Sequence, residues 1–194
     1  MAAVAVAGCG GGARQDENEP EGDFDVEVTK ATFPETPKLG RSADMAITVR
    51  NTGSETVPNL AVTVNGFGRR SQQQGLGDSN RPRFAVSGVP VNIGGLPEAR
   101  DSTPPGCGTA YVNTWACGPL KAGDERTLRW TVTPVVAGPY EIKYRVAAGL
   151  TGKARAVVAG GDSAPEGSFS GAVSSKPGHS QIAADGRTVI DEPR

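Results

Sequence analysis

The sequence predicts an all-β fold, an antiparallel sandwich of about seven to nine strands. Three observations carry that prediction. Apolar and polar residues alternate strictly in several separate segments, the mark of a strand with one buried face. Apolar stripes at helical spacing are missing. Glycine and proline, 27 and 15 of 194 residues, fall between the alternating segments and punctuate them as turns. Sheets covered by helices on both faces would show continuous apolar runs instead. Alternation means sheets with one wet face each, packed dry face to dry face.

Taken in order, Phe24, Val26 and Val28 alternate with Asp25, Glu27 and Thr29. Met45, Ile47 and Val49 alternate with Ala46, Thr48 and Arg50, and Asn51-Thr52-Gly53-Ser54 ends that strand. Pro58 precedes the next, where Leu60, Val62 and Val64 alternate with Ala61, Thr63 and Asn65. Tyr111, Trp115 and Cys117 share a parity, and Trp115 with Trp130 is expected to fill the space between the sheets. Lys121-Ala122-Gly123-Asp124 is a turn before the strand carrying Leu128, Trp130 and Val132. Ala137-Gly138-Pro139 breaks the chain before Tyr140, Ile142, Tyr144 and Val146. Gly149-Leu150-Thr151-Gly152 then leads to 154–159, which reads as the hairpin partner of 140–148. Ser168–Ser174 is a weak strand. From Ser175 the chain is polar, an edge strand near Arg187–Ile190 or a tail.

At this level the chain resembles a known family. Met45 to Gly53 followed by Leu60 to Val64 is similar to the first half of bacterial Ig-like modules of the CARDB type. Leu120 to Glu125, Leu128 to Val132 and Gly138 to Ile142 look like their second half. The resemblance covers the strand framework in two blocks and implies an Ig-like sandwich in an envelope protein. It implies no activity, because such folds host many functions. The stretch 67–108 departs from it by its length and is read as an inserted loop.

The N-terminus suggests an address. Val6-Ala7-Gly8-Cys9 has the pattern of a lipobox, in which Cys9 becomes the lipid-bearing first residue. Residues 1–8 would then be a partial signal peptide, since the basic and longer apolar regions of a secretory signal are not present. Residues 9–22, glycine-rich and then acidic, read as a flexible leash. The body spans 23–174, and 175–194 is the polar tail or edge strand. No run approaches the roughly 18 apolar residues of a membrane-spanning helix, so the expected membrane contact is lipid at Cys9. The acidic run 16–25 lacks the regular ligand spacing of calcium loops and is read as part of the leash.

Three cysteines fit an exported chain. With Cys9 lipidated, Cys107 and Cys117 remain as a pair, and an oxidising compartment lets a disulfide persist. A straight strand would hold them about 33 Å apart, far beyond the roughly 4.4–6.8 Å that a disulfide spans. The chain must therefore reverse between them or leave them unbonded.

Within 67–108, Arg69, Arg70, Arg81 and Arg83 are candidate anion-binding residues, because guanidinium groups pair with phosphate or carboxylate. The bland reading is an ordinary solvated loop. A net charge of −1 argues against a nucleic-acid partner. Catalysis has few candidates. The single histidine, His179, lies in the polar tail and is a poor general base. One histidine and two distant cysteines do not make a zinc shell. No cofactor or resident metal is expected. The sequence thus points to a non-enzymatic, lipid-anchored, extracytoplasmic Ig-like module with a binding or structural role at the envelope. Its partner is the membrane through Cys9 and, beyond that, another envelope protein. The alternative is a small-ligand or glycan site in 67–108.

Overall fold

The structure, a computed structural model, describes residues 18–67, 70–72, 80–92, 107–177, 180–182 and 189–191. Their elements are all strands, and the expected Ig-like antiparallel β-sandwich is what they form. One sheet has five strands. Its centre is β3 (Ala43–Asn51), flanked by β1 (Gly22–Thr32) and β10 (Glu125–Pro134). Beyond them lie β12 (Ala154–Val157) on one edge and β7 (Phe84–Asn92) on the other. The second sheet runs β2 (Lys38–Leu39), β13 (Glu166–Pro177), β11 (Gly138–Ala147), β4 (Ala61–Asn65), β9 (Thr114–Ala116) and β8 (Gly108–Tyr111). Two small hairpins, β5 (Arg70–Gln72) with β6 (Asn80–Pro82) and β14 (Ser180–Ile182) with β15 (Val189–Asp191), complete the described chain.

The alternation read from the sequence is the main burial pattern observed, with Thr48 and Ala61 of the outward parity buried as well. Met45, Ile47, Val49, Leu60, Val62, Val64, Leu128, Val132 and Ile142 are fully enclosed, and Phe24, Val26, Tyr140, Tyr144 and Val146 are buried with them. Trp115 from one sheet meets Trp130 from the other edge to face, with ring centroids 5.6 Å apart. Both tryptophans therefore take the core role expected of them. A second aromatic group gathers Phe33, Phe84 and Tyr140, with centroids 5.4–5.8 Å apart.

Three expectations are corrected. The 67–108 stretch is not simply an inserted loop. Its β7 pairs with β10 as a strand of the sandwich, and Phe84 is in the core. The segment after Gly152 is not the hairpin partner of β11. It crosses to the other sheet and pairs parallel with β1, Gly22 opposite Ala154 and Asp25 opposite Val157. The weak strand expected to end at Ser174 is the twelve-residue β13, which reaches Pro177. In each case strand pairing supplied by distant residues decided the element, and local pattern could not report it. The eleven strands of the two sheets exceed the number expected because β2, β8 and β9 are too short to display alternation.

The register also assigns loops to ends. At the near end lie Gly22, the 51–60 connection, the 117–124 connection and the 148–153 connection. At the far end lie Thr32 to Ser42, the 135–137 turn and the last residues of β13.

Candidate functional site

Chemistry-bearing groups concentrate at the near end, where the chain enters the sandwich. Glu19 is the first of them. Its Oε2 accepts the backbone N–H of Leu150 at 2.6 Å and of Thr151 at 2.9 Å, and its Oε1 accepts that of Ala154 at 3.0 Å. Partial burial acts to raise its pKa, but those three N–H groups more than reverse this and hold it at about 2. Gly149 makes the contact possible, because a Cβ there would overlap the carboxylate. The leash expected through residue 22 is therefore fastened at Glu19, and its N-terminal part, with Cys9, lies outside the described residues. Composition hid Glu19 among other acids. Only the glycine-flanked turn at 149–152 hinted at a receiving loop.

Asn51 ties the neighbouring loops together. It is fully buried. Its Nδ2 donates to the carbonyls of Glu55 at 2.7 Å and Leu120 at 2.9 Å, and its Oδ1 accepts the N–H of Gly53 at 3.0 Å. The turn recognised in the sequence as Asn51-Thr52-Gly53 is thus a side-chain-closed turn that also reaches the 117–124 connection. The Val57–Leu120 bridge lies beside it.

The cysteine pair completes this end. The β8–β9 hairpin folds the chain back, with Gly108 opposite Ala116. That brings Cys107 and Cys117 together as a disulfide, their Cα atoms 3.8 Å apart. Asn113, with φ 61°, makes the reversal. Tyr111 and Val112 stand exposed at its tip, at 48% and 88%. Arg126 of β10 reaches across and donates to the carbonyls of Cys117 and Pro119, and burial lowers its pKa.

The described residues place three of the four candidate arginines. Arg69 lies outside them. In the β5–β6 hairpin Arg70 is opposite Pro82 and Arg81 is opposite Ser71, so the two are not cross-strand neighbours. Arg83 donates to the carbonyls of Val136 at 3.2 Å and Ala137 at 2.6 Å, and burial lowers its pKa. Its guanidinium caps a turn at the far end. Among the described residues, Asn65, Gly66, Glu141 and Lys143 line a shallow depression of about 240 Å³. Carboxylates on the strands meet cations: Asp23 with Arg155 at 2.6 Å, Asp44 with Arg129 at 2.9 Å, Glu141 with Lys143 at 3.4 Å. Among the described residues no three or more His, Cys, Asp or Glu side chains gather as metal ligands. His179 lies outside the described residues.

The sequence matches no known family. No curated protein matches it either. Solved structures do resemble it. The CARDB domain of a Pyrococcus furiosus protein, crystallised in complex with di-metal ions, is 18% identical at a TM-score of 0.44, over 77% of this chain and 94% of that one. The solution structure of the same domain gives 19% and 0.43, over 79% and 96%. A PapD-like domain of human CEP192 gives 14% and 0.42, over 89% and 96%. The Ig-like assignment rests on this chain's own two sheets.

Proposed function

We propose that the protein is a lipid-anchored Ig-like module outside the cytoplasm, with a binding or structural role at the bacterial envelope. The observation that carries this reading is the fastening of Glu19. A tether attached to a sandwich is useful only if its junction is defined, and three backbone N–H groups define it here. Glu19 lies ten positions after Cys9 in the sequence, so the sandwich would ride within about 36 Å of a lipid at Cys9. The Cys107–Cys117 disulfide agrees with an oxidising compartment. The CARDB-like sequence blocks agree with an envelope protein. The glycan-site alternative has less of 67–108 to draw on, because the described part builds β5, β6 and β7 and buries Phe67, Phe84 and Cys107.

Mass spectrometry of the native N-terminus tests the proposal. A diacylglyceryl group on Cys9, with the preceding residues removed, is the expected result. An intact Met1 with a bare Cys9 thiol would overturn it. Crosslinking in intact cells at the exposed hairpin tip, Tyr111–Val112, would then identify what the module touches.

A further inference from the structure

Among the described residues, the lower part of β13 is an unpaired sheet edge. In antiparallel pairing, alternate residues direct their N–H and C=O to opposite sides. Pro165 accepts from Val146 of the β11 strand, and Phe169 pairs with Ile142. The odd-numbered residues of β13 therefore bond inward to β11. The even-numbered ones face outward: Ala172 donates to Glu35 and Ser174 to Pro37. Below Ala172, Glu166, Ser168 and Ser170 face the same way, and no described residue pairs with them on that outer side. The open window is bounded by Pro165 at one end and by Glu35, packed against Gly171, at the other. Its centre is Ser168.

Natural proteins blunt such edges with lysine, proline or a bulge. Residues 166–170, Glu-Gly-Ser-Phe-Ser, carry none of these. The exposed side chains of Ser168 and Ser170 are too small to block an approaching strand. The connection entering β13 also exposes Val158, at 44%.

We infer that this edge pairs with the same edge of a second copy, antiparallel about a twofold axis at Ser168, joining two six-stranded sheets into one. The window dictates the register, because any other centre drives the second strand into Pro165 or Glu35. That register is self-complementary. Ser168 meets Ser168 of the second copy, and Glu166 meets Ser170, so no like charges are opposed. Phe169 of each copy lies opposite Gly167 of the other, on the face where Tyr144 already covers that glycine within each copy. About six main-chain hydrogen bonds result, an isologous contact that closes at the dimer. Strand addition at a sheet edge is a general mode of association.

Disulfide trapping tests both the contact and its register. The full chain carrying Cys9→Ser, to remove the odd thiol, is used as background. Residues in a hydrogen-bonded antiparallel pair have Cα atoms about 5.5 Å apart, within disulfide reach. Ser168→Cys is expected to give a covalent dimer on mild oxidation, and Ser170→Cys about tenfold less of it. Sedimentation at ~100 μM, between the concentrations that populate micromolar and millimolar dimers, should show association that Ser168→Lys abolishes while leaving circular dichroism unchanged. A monomer in both measurements would overturn the inference. So would equal trapping at 168 and 170, or association that survives Ser168→Lys.

Discussion

Asn51 and Glu19 show how single side chains hold this molecule's near end. Asn51 is itself closed to water and bonds two carbonyls and one N–H, of which the Leu120 contact is fully buried. Asn51→Ala removes all three bonds, although the Leu120 carbonyl keeps the N–H of Val57 and the Gly53 N–H keeps the Asp25 carbonyl, and is expected to cost about 3 kcal/mol at roughly 1 kcal/mol for each lost bond. Urea unfolding measures it, as a lower midpoint at unchanged slope. Glu19 is half-exposed, so its contribution is screened. Glu19→Gln is expected to cost only about 1 kcal/mol, because an amide cannot present two oxygens to three N–H groups. The ordinary Glu pKa of 4.5 falls to about 2 here. A depressed carboxylate stabilises the fold fully above pH 4.5, and that contribution disappears as pH falls toward 2. The difference in stability between the two proteins should therefore shrink across that window. A constant difference from pH 6 to pH 2 would contradict the assigned role. Asn51 was legible in the sequence as a turn residue. Its bond to Leu120, across 69 residues, was not, since only the assembled sandwich brings them together.

At the scale of elements, the β8–β9 hairpin depends most on a single bond. β9 has three residues and β8 four, too few to be stable alone. The disulfide and the pairing of β9 with β4 hold them. Replacing both Cys107 and Cys117 by alanine is expected to cost roughly 2–3 kcal/mol in the chain-entropy model. Hydrogen exchange should then quicken in 108–116 while β3 and β10 keep their protection. Uniform acceleration would mean that the hairpin is integral to the core. Strands with long alternation, β1, β3, β10 and β11, were readable residue by residue, because their buried faces are continuous. β7 and β12 were not. β7 lies in a stretch whose composition is that of a loop, and its partners on β10 are distant in sequence, Asn92 opposite Leu128 and Phe84 opposite Pro134. β12 has the alternation of a strand, but its choice of β1 over β11 is a matter of topology. Of the candidate arginines, Arg83 turns its guanidinium to backbone carbonyls across the fold, a partnership no local pattern could report.

For the whole molecule, the two tryptophans report the packing of one sheet on the other. Trp115 belongs to the six-stranded sheet and Trp130 to the five-stranded one, in edge-to-face contact. If the sandwich unfolds as one cooperative unit, tryptophan fluorescence and far-ultraviolet circular dichroism should trace a single coincident transition in urea. A fluorescence change that precedes loss of the sheet signal would reveal separable sheets. The placement of the ends has a mechanical consequence. The chain enters at Gly22, at the near end, and β13 leaves at Pro177, at the far end. A pull between these points runs along β1, about 36 Å of strand. It therefore shears the rungs that β1 makes with β3 and β12 together rather than peeling them one after another. Stretched between an anchored N-terminus and a load on its far end, the sandwich would resist as a stiff strut, giving way in one step at high force.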